Sequence, residues 1–142
     1  MTFINLFSKL IAFKTISKKS NEELILFIKN YLSKLGVEAK LLEGSKGQFN
    51  LYARIGPNID GGILLSGHTD VVPVDGQNWT MDPFKLIFKN KKFFGRGTCD
   101  MKGFIAIVLD LISTIKIENF KKPLHLIFSY DEEIGCVGIQ KM

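Results

Sequence analysis

The stretch Ile63-Leu64-Leu65-Ser66-Gly67-His68-Thr69-Asp70 passes from three branched apolar side chains, through two small residues, to an imidazole and a carboxylate. A short continuous apolar run is the pattern of a strand buried on both faces. The pattern returns in Leu124-His125-Leu126-Ile127-Phe128-Ser129, opened by Pro123 and followed by Tyr130-Asp131-Glu132-Glu133. Two apolar strands that each end in chemistry-bearing residues predict a sheet that gathers its site at the carboxyl ends of its strands.

Working outward, Phe3, Leu6, Phe7, Leu10 and Ile11 recur at helical spacing and predict a first amphipathic helix. Ser20 with Glu23 three positions on reads as a capping box for a second helix. Leu24, Ile25, Ile28, Tyr31, Leu32 and Leu35 form its buried stripe, and Gly36 closes it. Strand character follows over residues 37–42 and 49–55, with turn signals at Gly56-Pro57-Asn58 and Gly61-Gly62. Asn90-Lys91 separates two further extended runs and predicts a hairpin. Residues 101–115 are strongly apolar and read as a buried helix. Helices and strands alternate, which argues a layered α/β domain with helices on both faces of the sheet.

The bulk properties exclude several classes. With 142 residues, 46% hydrophobic and 23% charged, the chain has the size and core material of one globular domain. The net charge is +5, yet arginine occurs only at Arg54 and Arg96 and the lysines are scattered. No basic stripe is present, so nucleic acid is not an expected partner. The apolar opening segment is broken by Lys9 and Lys14 and lacks the pattern of a signal peptide. No apolar stretch approaches the ~20 residues of a membrane span, so no membrane partner is expected. Cys99 and Cys136 form neither a C-x-x-C pair nor a disulfide framework, and a reducing cytoplasm is the expected compartment. Cys99 is expected to be a small buried residue.

Six residues can carry chemistry. His68 and Asp70, two apart on an extended chain, point the same way. A carboxylate beside an imidazole can fix its tautomer and leave the other nitrogen for a metal; a satisfied structural histidine is the plainer alternative. Asp100 follows Gly95-Arg96-Gly97-Thr98-Cys99 and precedes the apolar helix. It reads either as a helix N-cap or as a group brought by close-packed glycines to a small ion. Asp131, Glu132 and Glu133 repel one another if they converge, unless a cation offsets the charge. Adjacent residues point to different sides, so Glu132 and Glu133 need not share one role. One histidine with several carboxylates suits zinc, cobalt or manganese better than a hard oxygen-only site.

Three blocks occur in order: Ser66-Gly67-His68-Thr69-Asp70-Val71-Val72-Pro73, Gly95-Arg96-Gly97-Thr98-Cys99-Asp100-Met101-Lys102-Gly103 and Ser129-Tyr130-Asp131-Glu132-Glu133-Ile134-Gly135-Cys136. With Trp79-Thr80-Met81-Asp82-Pro83-Phe84, they resemble the metallopeptidase superfamily that contains acetylornithine deacetylase, succinyl-diaminopimelate desuccinylase, aminoacylase and zinc carboxypeptidases. The resemblance covers essentially the whole chain.

It implies a zinc-exopeptidase-like α/β domain with a central mixed, largely parallel sheet flanked by helices. Residues 1–142 would be the N-terminal part of that catalytic domain, incomplete and without the lid and dimerisation domain. It further implies His68 as ligand of one metal, Asp100 as the carboxylate bridging two, Glu133 as ligand of the second, Glu132 as general base, and Asp70 as the group orienting His68. A cis peptide bond between Asp100 and Met101 goes with that pattern. The implied cofactors are two Zn2+ per complete subunit, with Co2+ possible, and the implied full-length form is a homodimer.

The implied substrate is a small N-acyl amino acid. Thr98-Cys99 and Phe104 are most similar to the acetylornithine deacetylases, which implies release of acetate from N-acetyl-L-ornithine in arginine biosynthesis, with residues 1–142 alone inactive. Desuccinylase, general aminoacylase or carboxypeptidase activity, a single-metal hydrolase of another family and a metal-free non-catalytic module are the alternatives.

Overall fold

Strand β6 (Leu124–Ser129) organises the sheet because it has neighbours on both sides. The structure, a computed structural model, describes residues 1–45 and 47–142. Helices α1 (Phe3–Ala12) and α2 (Glu22–Lys34) come first. Strands β1 (Ala39–Glu43), β2 (Phe49–Ile55) and β3 (Ile63–His68) follow, then the short hairpin β4 (Ile87–Lys89) and β5 (Lys92–Phe94). Helix α3 (Lys102–Thr114) precedes β6.

The main sheet has the order β1-β2-β6-β3. It is mixed: β1 with β2 and β2 with β6 are antiparallel, and β3 with β6 is parallel. Period-two alternation separates its faces. Leu51, Ala53 and Ile55 of β2 and Leu124, Leu126 and Phe128 of β6 are buried on one face. They share one core with Leu6, Leu10 and Ile11 of α1, Leu24, Ile28 and Leu32 of α2, and Ile105, Leu109 and Ile112 of α3. The opposite face carries Lys40, Tyr52, Arg54 and His125, where the Tyr52 hydroxyl lies 2.9 Å from His125 Nδ1.

Helices were expected on both faces. Among the described residues, the buried stripes of α1, α2 and α3 all join the core on one face. The apolar run of β3 was likewise expected to be buried on both sides. Instead Ile63 is 66% and Leu64 52% exposed, because β3 is an edge strand and Leu64 faces the open side of the sheet.

Two local signals resolve more finely than the sequence suggested. Asn21, not Ser20, is the N-cap of α2, and no side chain makes the capping-box bond to Glu23. Ser20 Oγ instead accepts from the Glu22 amide at 3.2 Å and donates to the Gly47 carbonyl at 2.6 Å. Asn21 is thereby released to bracket β2, donating to the Phe49 carbonyl and accepting from the Phe49 amide. The hairpin turn is as expected: Asn90 and Lys91 have φ of 52° and 60°, the two positive values of a tight two-residue turn.

Helix α3 begins under the loop that carries Asp100. A Cβ on Gly103 would sit 2.2 Å from the Thr98 carbonyl oxygen, a backbone atom that cannot step aside. Glycine to alanine inside a helix ordinarily stabilises by up to ~1 kcal/mol. Here the sign is expected to reverse: Gly103→Ala should lower the urea midpoint, with a loss of about 1–3 kcal/mol from overpacking. An unchanged or raised midpoint would show that the loop and helix are not packed this closely.

Candidate metal centre

The parallel register of β3 and β6 sets His68 opposite Ser129. The Thr69 amide continues the ladder to the Ser129 carbonyl at 2.8 Å. Both strands therefore end at the same level, and the residues that follow them, Thr69-Asp70 and Tyr130 to Glu133, emerge side by side. The third contribution comes from the Gly95-Arg96-Gly97 segment. Gly97 has φ of 85°, and a Cβ there would press on Val71 and the Lys102 stem. This turn delivers Asp100, and the Asp100–Met101 peptide bond is cis, as the resemblance implied.

His68, Asp100 and Glu133 meet: one ligand atom from each lies within 4.8 Å of the others. The His68 ring is buried. Its Nδ1 lies 2.9 Å from the Asp70 carbonyl oxygen and 3.5 Å from Asp70 Oδ1. A proton on Nδ1 would bond the backbone carbonyl, the shorter of the two contacts, which leaves Nε2 as a lone-pair donor. Nε2 faces Asp100 Oδ1 at 2.9 Å and Glu132 Oε2 at 3.7 Å. Asp100 does not cap α3, whose N-cap is Met101.

Three consecutive acids diverge in three directions. Glu133 joins His68 and Asp100. Glu132 stands at the rim, half exposed, and its Oε1 accepts a contact from Cys136 Sγ at 3.6 Å. Asp131, with φ of 50°, turns inward; Oδ1 accepts the Lys18 amide at 2.6 Å and Oδ2 the Gln48 side-chain amide at 2.9 Å. Asp70, also buried, ties the two strand ends together. Its Oδ1 accepts the Glu132 amide at 3.0 Å, and its Oδ2 accepts the Glu133 amide at 3.3 Å and the Ser17 hydroxyl at 2.7 Å.

The field at the centre is negative. Burial alone would lower the His68 pKa, but hydrogen bonds with Asp70 and Asp100 outweigh it and push it from 6.5 up to about 9. Burial, then the charge of Asp100 with smaller contributions from Asp70 and Glu132, pushes the Glu133 carboxyl up, against the opposing pull of His68. Burial would raise Asp70 too, yet its bonds with His68, Ser17 and the amides of Glu132 and Glu133 hold it below the usual carboxylate range. An imidazole nitrogen and two carboxylates converging in a negative field are a donor set suited to a divalent cation such as zinc.

Of the six residues singled out from the sequence, His68, Asp100 and Glu133 come together with Asp70 and Glu132 beside them, and Asp131 does not join them. Sequence reasoning misses the roles of Ser17, Gln48 and Lys102. Lys102 is fully buried and its Nζ donates to the Phe13 carbonyl at 2.5 Å. Desolvation lowers its pKa to about 7 against the opposing charge of Asp70. Cys99 was expected to be buried; it is exposed, because it stands on the loop beside Asp100 rather than in the core.

A mixed α/β sheet that presents a histidine and acidic side chains beyond the ends of parallel strands is a layered scaffold suited to holding a metal ion. Residues 64–142 match peptidase family M20/M25/M40, and the chain belongs to that family. It is 44% identical over 145 residues to acetylornithine deacetylase of Pasteurella multocida (strain Pm70), covering 96% of this chain and 38% of that one. An M20 family metallo-carboxypeptidase from Sulfolobus solfataricus superposes with a TM-score of 0.85 at 29% identity, over 99% of this chain and 33% of that structure. Human carnosine dipeptidase 1 shares the fold, with a TM-score of 0.84 at 22% identity over 98% of this chain and 34% of that one. The chain therefore spans between a third and two fifths of the length of these relatives. Among the described residues, no helix is long and apolar enough to cross a membrane.

The raised His68 pKa makes a prediction for the metal-free protein. The stability that protonated His68 contributes is fully present below pH 6.5 and is lost as pH rises through about 9. The advantage of the unmutated protein over His68→Gln in urea unfolding should therefore shrink between roughly pH 7 and pH 10. Taking the difference cancels the opposite trend from Lys102, whose depressed pKa favours folding as pH rises. A His68 ring that titrates near 6.5 by NMR would contradict the geometry.

Proposed function

We propose that this chain carries part of the metal centre of a hydrolase that cleaves the amide of an N-acyl amino acid, with N-acetyl-L-ornithine as substrate. The observation that carries the reading is the convergence of His68, Asp100 and Glu133, with Glu132 beside them and Asp70 behind. The similarity to acetylornithine deacetylases over 96% of the chain supports the choice of substrate.

His68 Nε2 and the carboxylates of Asp100 and Glu133 would hold the metal, zinc or cobalt. A divalent ion held there supplies polarisation of the acyl carbonyl and lowers the pKa of water toward ~7. The remaining work falls to this chain's own side chains. Glu132 takes a proton from the attacking water as the oxygen adds to the acyl carbon. It returns that proton to the leaving nitrogen as the carbon–nitrogen bond breaks, releasing acetate and ornithine. Asp70 keeps the His68 ring in place and fixes the turn from which Glu132 reaches the site.

Glu132 and Glu133 hold different stations, so their variants should separate. In a protein of the relatives' full length, Glu132→Ala is expected to cut kcat for N-acetylornithine by about 10²–10⁴-fold with metal affinity nearly unchanged. Glu133→Ala should weaken binding of one metal in calorimetric titration. Equal metal loss in both variants would overturn the division of roles.

Among the described residues three direct ligands converge, fewer than two four-coordinate ions call for. Residues 1–142 by themselves are expected to bind zinc weakly and to show no hydrolysis of N-acetylornithine. Turnover by purified 1–142 that disappears in His68→Ala would contradict this ligand count.

A further inference from the structure

The segment between α1 and α2, residues 13–21, has the look of a linker, yet it is bonded to both strand ends that form the site. Ile16 and Val71 form an isolated parallel bridge: the Ser17 amide donates to the Val71 carbonyl at 3.1 Å, and the Val71 amide to the Thr15 carbonyl at 3.0 Å. Thr15 Oγ1 donates to the Thr69 carbonyl at 2.6 Å. Lys102 Nζ holds the Phe13 carbonyl at one end. At the other, the Lys18 amide and the Gln48 side chain hold Asp131, and Gln48 also donates to the Lys19 carbonyl at 3.3 Å. Thr15 and Ser17 are buried although both are polar, so their hydroxyls are committed to these bonds.

Ser17 occupies the position of greatest consequence. The Asp70 carboxylate can turn about its own axis unless both oxygens are fixed. Oδ1 is fixed by the Glu132 amide at 3.0 Å; Oδ2 has the Glu133 amide at 3.3 Å and the Ser17 hydroxyl at 2.7 Å. The shorter of the two bonds on Oδ2 therefore comes from Ser17. We propose that Ser17 is a positioning residue for the metal centre: its hydroxyl locks the Asp70 carboxylate, and through it the His68 ring and the Glu132-Glu133 turn. The inference rests on the reading of His68, Asp100 and Glu133 as metal ligands, and adds to it a residue from a segment with no chemical motif. Removal of partners behind a metal ligand typically weakens affinity about 10–100-fold without removing the site.

The test uses the 142-residue chain, zinc as the probe, and the variants Ser17→Ala, Ser17→Thr and His68→Ala. Two readouts are taken: zinc affinity by calorimetry, and amide hydrogen exchange by NMR in metal-free protein. Ser17→Ala is expected to bind zinc about tenfold more weakly or worse. Its Glu132 and Glu133 amides should exchange about tenfold faster or more, while amides of the α2 core such as Ile28 and Leu32 keep their protection. Ser17→Thr, which keeps the hydroxyl, should restore both readouts, and His68→Ala should abolish binding. Equal zinc affinity and unchanged exchange at Glu132 and Glu133 in Ser17→Ala would overturn the proposal. So would loss of protection throughout α2, which would make Ser17 a general structural residue. Zinc affinity left intact by His68→Ala would overturn the metal-centre reading by itself; if the unmutated chain, with its three ligands, holds zinc too weakly to measure, the exchange data alone decide whether Ser17 holds the turn.

Discussion

The parallel pairing of β3 with β6 is the constraint on which the site depends. Antiparallel neighbours end on opposite sides of a sheet, whereas parallel neighbours end on the same side. Here the register sets His68 level with Ser129, so one strand releases Thr69-Asp70 where the other releases Tyr130 to Glu133. A slip of one residue would turn His68 to the other face of the sheet. The alternating burial of β6, with Leu124, Leu126 and Phe128 in the core, opposes that slip, so packing on one face of the sheet fixes chemistry at its end.

Asp70 converts that proximity into a defined arrangement. A buried carboxylate is costly unless it is bonded on both oxygens. Asp70 meets the cost by collecting donors from two separate segments, Ser17 and the Glu132 and Glu133 amides, with the neighbouring His68 ring 3.5 Å away. The same bonds hold its pKa low, so it stays charged beside the imidazole. Asp131, the residue before Glu132, has a similar structural role, bonded to the Lys18 amide and Gln48. The acids nearest the opening, Asp100, Glu132 and Glu133, are the ones proposed for chemistry.

Much of this was legible in the sequence because it follows short periods. The apolar stripes of α1 and α2 and the runs that became β2 and β6 stand out by spacing alone, and their ends fall at Gly36, Pro123 and the polar residues. The blocks around His68, Asp100 and Glu133 stand out through their resemblance to the family, since each residue read alone kept a plain structural alternative. What escaped has a common cause. Ser17, Gln48 and Lys102 act through Asp70, Asp131 and Phe13, partners between 53 and 89 positions away, which no local period records. Ser20 and Glu23 satisfied a local rule, but the Gly47 carbonyl was a competing partner for Ser20, and Asn21 became the cap. The apolar residues of β3 promised two buried faces, but apolarity reports the preference of a side chain and not its place at the sheet edge.

The central claim is that strand ends and a glycine-rich turn bring His68, Asp100 and Glu133 together as one metal centre. Crystals of the protein equilibrated with zinc and measured at the zinc absorption edge test it directly. An anomalous peak is expected within bonding distance of His68 Nε2 and of a carboxylate oxygen from Asp100 or Glu133, absent from His68→Ala crystals. Zinc bound instead at exposed Cys99 or Cys136, with no peak beside His68 at saturating metal, would contradict it.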